Sequence, residues 1–323
     1  MMTRPAAVSG TRQLAHASAL SRGLWNEPDS PTPAWPRRIY VCVTLVTLGV
    51  ACSGDTMSLG QREPVPFHFG EPKLVTELAA LASSENPTLT ADELELYFSS
   101  GDLYRVKRAT PSAPFDAPEL LSALSTSAFE TSPAVSSDGL TLWFGSDRRV
   151  KDHVEVFVSR RASRSAEFEA PVLVQELASD QNDIPRPLGL HGTTMPLSSA
   201  RDTKGAYTTY FARLDPRLKA FGAPEAVPEL TFAGRSTTDT WLSNDGLVVF
   251  FTSGEEGTPP DLYAAFRKSV AGAFSVVEPL TDLNTAFDDR DPFLCADGNH
   301  FYFASDRGTG DGTLRIYQAP RIR

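Results

Sequence analysis

The chain has 323 residues, 41% of them apolar, and its 40 acidic against 30 basic side chains give a formal charge of −10. That is ample material for a core, and the acid excess excludes a nucleic-acid partner, because phosphate binding needs clustered Lys and Arg. With 25 Pro, 22 Gly and no long apolar run after residue 52, the composition favours short strands joined by turns over a helix bundle.

Residues 1–36 lack periodicity and are rich in Ala, Ser, Arg and Pro, so they are expected to be unstructured; a translation start downstream of Met1 would remove them altogether. Arg37-Arg38 then open an uncharged stretch from Ile39 to Cys52, which reads as a bacterial secretion signal over residues 37–52. Its end, Leu48-Gly49-Val50-Ala51-Cys52, resembles a lipoprotein lipobox, although Gly49 stands where that pattern usually has Leu. The resemblance implies acylation of Cys52 and a lipid anchor in the bacterial cell envelope, with plain secretion as the alternative. The stretch is shorter than the ~20 apolar residues a membrane span needs. Residues 53–66 are polar and Pro-rich and are expected to form a flexible tether. Cys295 is then the only cysteine of the folded body, so neither an internal disulfide nor a cysteine-based metal site is expected there.

From Asn86 to Pro320 a segment of about 50 residues recurs five times. Phe115, Phe168, Phe221 and Phe274 are spaced by 53 residues, and each is followed by a proline. Ahead of each repeat's aromatic segment lies a short strand ending in a tight turn, as in Ser132-Pro133-Ala134-Val135-Ser136-Ser137-Asp138-Gly139 and Asp291-Pro292-Phe293-Leu294-Cys295-Ala296-Asp297-Gly298. Asp-Gly supplies the positive φ of such a turn. An aromatic second strand follows (Leu96-Tyr97-Phe98, Leu142-Trp143-Phe144, Val249-Phe250-Phe251, Phe301-Tyr302-Phe303), then a third, and the Phe-x-x-Pro segment makes a fourth. Four antiparallel strands per unit predict the blade of a β-propeller. The third unit is degenerate: His191-Gly192 takes the Asp-Gly place, Tyr207–Phe211 supplies an aromatic strand, and the second strand is uncertain between Thr193 and Gly205. The last unit lacks its fourth strand, whereas residues 69–74 match that strand and precede the first unit. The expectation is therefore an all-β, five-bladed β-propeller over residues 67–323, closed by its N-terminal strand.

The block Ser-Pro-Ala-x-Ser-x-Asp-Gly, the aromatic strand and the Ser-Asp-Arg that follows it (Ser146-Asp147-Arg148, Ser305-Asp306-Arg307) resemble the TolB-like, WD-repeat-like propeller family over about residues 69–320. The resemblance implies the fold and, because such propellers are mostly binding platforms, a binding role; a fold is not in itself a function.

If the first strand of each unit is innermost, Glu130, Asp183, Asp239, Asp289 and Asp291 converge at one end of the central channel. Like charges so placed invite a cation, a basic partner, or salt bridges to Arg186, Arg235 and Arg290. No cofactor is expected, calcium being the one left open, and the histidines have no zinc spacing. The Asp-Gly aspartates Asp138, Asp245 and Asp297 are read as turn residues, the Ser-Asp-Arg pairs as braces between neighbouring blades, and the Gly308–Gly312 loop as a hairpin. Nucleophile elbow, P-loop and dinucleotide fingerprints are missing. The sequence thus suggests a non-catalytic envelope lipoprotein whose propeller face binds a protein or peptidoglycan-associated partner. Two readings stand beside it: a five-bladed glycoside hydrolase or lyase using Asp183, Asp239 and Asp291, and a structural envelope protein without a small ligand.

Overall fold

The computed structural model describes residues 67–203 and 205–322. The segments expected at 1–36, 37–52 and 53–66, with Cys52, lie outside the described residues. The rest is a five-bladed β-propeller of antiparallel four-stranded sheets.

Blade 1 runs β3 (Glu85–Leu89), β4 (Glu95–Ser99), β5 (Leu103–Lys107), β6 (Glu119–Leu120). Blade 2 runs β7 (Glu130–Val135), β8 (Thr141–Val150), β9 (His153–Arg160), β10 (Val172–Leu173). Blade 3 is β11 (Asp183–Pro185), β12 (Thr194–Ser199) and β13 (Thr208–Asp215), with an outer strand split into β14 (Ala220–Phe221) and β15 (Glu225–Ala226). Blade 4 is β16 (Arg235–Leu242), β17 (Val248–Glu255), β18 (Asp261–Phe266) and β19 (Val276–Pro279). Blade 5 has β20 (Asp289–Leu294), β21 (His300–Ser305) and β22 (Arg315–Ile322), and its outer strand is supplied by β1 (His68–Phe69) and β2 (Lys73–Leu74).

Closure follows the expectation, with Phe69 opposite Arg321 and Lys73 opposite Gln318. In blade 3 the uncertain strand is resolved. Thr194–Ser199 is the second strand, and the aromatic Tyr207–Phe211 segment belongs to the third, not the second. Thr194-Met195-Pro196-Leu197 hides this because it carries no aromatic residue, yet Met195 and Leu197 are fully buried.

The aromatic second strands are apolar on both faces because each blade is covered on both sides. Leu96 and Phe98 pack at the seam with blade 5, while Tyr97 between them packs at the seam with blade 2. The same alternation sends Leu142 and Phe144 one way and Trp143 the other. Full burial of each such side chain contributes about 1.5–3 kcal/mol. The five hydrophobic clusters are thus the five seams of the ring.

The anchor phenylalanines carry a second regularity. Arg108 lies over Phe115 at 4.5 Å, Arg161 over Phe168 at 4.8 Å and Arg267 over Phe274 at 4.6 Å. Each of these arginines donates from Nε to a carbonyl in the hairpin turn of its own blade: Glu93, Gly139 and Gly246 respectively. Stacking and hydrogen bonding together lock the turn to the outer strand. Blade 5 builds the same pair across the closure, with Arg321 over Phe67 at 4.1 Å. The turns are those expected: Ser136 Oγ and the Leu140 N–H donate to Asp138, and Gly139 takes φ +73° with no room for a Cβ against Thr90 and Arg161.

Candidate functional site

The innermost strand of each blade faces the channel, and four of the five are irregular there. Asn86, Ser132, Asp239 and Asp291 adopt φ between 50° and 60°, and in each strand one extra residue interrupts the pairing with its neighbour. These are β-bulges, which re-aim side chains. Blade 3 has Pro185 at the corresponding place, and its ring cannot adopt positive φ. The strand therefore stays regular, and the following residue, Arg186, enters the ring of channel residues instead.

Arg186 is 2% exposed and is the hub. Its Nη1 donates to Asn86 Oδ1 at 2.7 Å and to Asp291 Oδ1 at 3.4 Å, and lies 3.9 Å from Asp239 Oδ1. Ser132 Oγ donates to the same Asn86 oxygen. The bulged backbone amides are capped from the neighbouring blade: Asn86 N–H by Asp291 Oδ2, Asp239 N–H by Ser198 Oγ, Asp291 N–H by Thr252 Oγ1. The channel is bridged at this level by a network that draws on all five blades.

One residue earlier in their strands stand Glu85 and Arg290, beside Asp288; these three interact electrostatically with one another and with Asp239, and Glu85 and Arg290 interact with Asp291 as well. Arg290 pairs with Asp288. Four carboxyl groups, those of Glu85, Asp239, Asp288 and Asp291, thus share two guanidiniums, those of Arg186 and Arg290. Burial, reinforced by Asp239, pushes Asp291 up to about 8. Burial, with the neighbouring acids, also holds Glu85 and Asp288 above the ordinary carboxylate range against the pull of Arg290. Asp239 is the most open member of the bridging ring, its side chain 14% exposed.

The five acids singled out in the sequence are not one group. Asp239 and Asp291 meet around Arg186. Glu130, Asp183 and Asp289 are wholly buried, each inside its own blade. Glu130 is bound by Arg148 at 3.1 Å, Asp183 by Arg201 at 2.5 Å and Asp289 by Arg307 at 2.5 Å. Each arginine also donates to a backbone carbonyl just ahead of the inner strand (Leu124, Leu177 and Leu283) and packs on aromatic rings of its own blade. Expected convergence of these three acids on the channel fails because each is held inside its own blade by its arginine, in the regular strand of Asp183 as in the bulged strands of Glu130 and Asp289.

Blades 1 and 4 have Ser84 and Thr237 at the acid position, and there Asp102 and Glu255 stand in the place of the arginine. Acid and base are lost together, as a brace requires. The signal was available in the sequence as this paired presence and absence. The Ser-Asp-Arg motifs therefore brace within a blade, not between blades. Arg235, expected to neutralise the channel, instead donates to the Tyr263 hydroxyl. Asp306 closes the Gly308–Gly312 hairpin by accepting from the Gly312 and Asp288 amides.

No family model matches the chain, and no curated protein does. Solved structures share its fold. A putative TolB from Agrobacterium tumefaciens is 18% identical, with 69% of each chain covered and a TM-score of 0.47. An endo-arabinase from Bacteroides thetaiotaomicron is 17% identical over 75% of this chain and 94% of its own, with a TM-score of 0.53. A xylan β-1,4-xylosidase from Bacillus halodurans is 10% identical over 75% of this chain and 53% of its own, with a TM-score of 0.50. The last two likenesses show a shared fold. They also overturn the expectation of a protein without catalytic activity, which rested on missing sequence motifs: the same fold carries an endo-arabinase.

Proposed function

We propose that this chain is an exported bacterial envelope protein, anchored through Cys52, whose channel mouth binds a positively charged group on an envelope protein or a peptidoglycan-associated partner. The observation that carries the reading is the charge balance at the mouth. Four carboxyl groups share two guanidiniums, and three of the four are made weaker acids than usual by burial and by neighbouring carboxylates. A cationic group placed there relieves that repulsion, and Asp239, Glu85 and Asp288, all partly exposed, are the acids it can reach. Electrostatic complementarity of this kind sets partner choice and association rate. An oligolysine peptide titrated against the protein at low and at 0.3 M salt tests it. Saturable, salt-sensitive binding weakened in Asp239→Asn and in Glu85→Gln is expected; binding equal in all three proteins would refute it.

A second reading is carbohydrate processing, favoured by the fold shared with the endo-arabinase. Of the acids first considered, Asp183 is committed to Arg201, which leaves Asp291, largely protonated at neutral pH, beside the more open Asp239. An acid and a base set apart by environment is the arrangement such chemistry uses. Release of reducing ends from arabinan, xylan or polygalacturonate by the wild type, lost in Asp239→Asn, would support this reading. No release from any of them would remove it.

A further inference from the structure

Away from the channel, at the seam where blade 5 closes on blade 1, two hairpin turns face each other. The turn between β20 and β21 contributes Cys295, Asp297 and His300, and the turn between β3 and β4 contributes Glu93. One ligand atom from each of Glu93, Asp297 and His300 can be chosen so that all lie within 4.8 Å of one another. We propose that these three residues form a binding site for a divalent transition-metal ion, zinc foremost, that staples the closing seam of the ring.

Three independent features point the same way. His300 Nδ1 is buried, has no hydrogen-bond partner, and stands 4.0 Å from Glu93 Oε2. That is too far for a hydrogen bond, but two ligands each bound at ~2.0–2.2 Å to one ion stand ~3–4 Å apart. Tyr302, wholly buried, lies among Cys295, Arg108 and Glu93, and its hydroxyl, beside Arg108, finds no well-aligned hydrogen bond. A polar group left so is costly unless something occupies the space it faces. Finally, Glu93 is only 3% exposed and sits at φ +59°, a conformation unfavourable for a residue with a side chain, which the Arg108 bonds to its carbonyl and carboxylate maintain. The Cys295 thiol lies beside the same carboxylate.

The donor set selects the ion. An imidazole with two carboxylates suits zinc or another borderline transition ion, whereas calcium takes six to eight oxygens. Asp297 is exposed, so an ion can enter from solvent and complete its coordination with water. No zinc spacing is visible in the sequence because the ligands come from turns two hundred residues apart that only ring closure brings together.

Zinc chloride is titrated into the full-length protein, with binding followed by calorimetry and metal content by mass spectrometry. The variants are His300→Ala, Asp297→Asn and, as a channel control, Asp239→Asn. The first two alter exposed or half-exposed side chains. About one seam-bound zinc per chain is expected, raising the melting temperature, with calcium giving no such rise. His300→Ala and Asp297→Asn should weaken binding by at least the ~10–100-fold that loss of a supporting residue costs a metal site, while Asp239→Asn leaves it unchanged. Zinc binding that is absent, insensitive to His300→Ala and Asp297→Asn, or lost in Asp239→Asn would overturn the proposal.

Discussion

Replacing Arg186 by methionine removes the charged hub of the channel and retains an unbranched, apolar side chain of similar reach. Asn86 Oδ1 keeps its bond from Ser132 Oγ, so the lasting damage falls on Asp291 and Asp239, which lose the cation between them. At pH 9 Asp291 has passed its raised value of about 8 and is ionised. Without Arg186 its value rises further, and linkage of ~1.4 kcal/mol per pH unit above 8 brings the loss at pH 9 to about 2–3 kcal/mol. At pH 5 Asp291 carries its proton, and the loss should shrink toward the ~1–1.5 kcal/mol of an ordinary hydrogen bond. A ring of this size loses roughly 2–4 °C of melting temperature per kcal/mol, so the expected deficit is about 4–12 °C at pH 9 and about 2–6 °C at pH 5. Scanning calorimetry of both proteins at the two pH values decides it. Equal deficits would show that Arg186 acts by packing alone and would refute the electrostatic account of the channel.

Asp291 also sets the wild type's own pH response. Between 3.8 and about 8 the folded chain holds a proton that the unfolded chain has released, so this group's contribution to stability falls as pH rises through that window. Asp291→Asn should flatten the fall in denaturant midpoint from pH 5 to pH 8; an unchanged slope would assign the titration elsewhere. In blade 5, Arg307→Gly alone strands buried Asp289 and should cost about 3–5 kcal/mol. Adding Asp289→Thr, which places there the residue type of Thr237 in blade 4, should recover about 0.5–3 kcal/mol in a double-mutant cycle, and strict additivity would deny the pairing. Phe69→Ala removes a buried ring that packs on Phe301 at 4.7 Å across the closure and should cost about 3–5 kcal/mol by urea unfolding. A loss below ~1 kcal/mol would mean that the closing strand contributes little.

Ring architecture was legible in the sequence because each blade must repeat the same solution. Phenylalanines 53 residues apart and Asp-Gly turns report local geometry that does not depend on the neighbours. Blade 3 was legible only in part, since Met195 and Leu197 fill the seam without aromatic rings. The site was harder to see. Glu130, Asp183 and Asp289 are each claimed by an arginine of their own blade, and the bulge beside the channel leaves no composition of its own: Asn86, Ser132, Asp239 and Asp291 share a left-handed backbone but not a residue type. Arg186 reaches the channel only because Pro185 forbids that bulge in its blade, a consequence of what the chain cannot do rather than of a motif.

Joining the first strand of the ring to its last has a consequence in time. An open stack of repeats can fray from either end, one unit after another, because each terminal unit has a single neighbour. Here no blade is terminal. Opening the ring requires β22 to release β1 and β2 together, so the two ends of the fold are protected by the same event. The reverse holds during folding: blades 1 to 4 contain all their strands early, but blade 5 is assembled from residues some 250 positions apart in sequence. Contacts of that span are slow to find. The seam between blades 5 and 1 is therefore expected to be the last to form and, once formed, the one whose strength sets the lifetime of the whole ring.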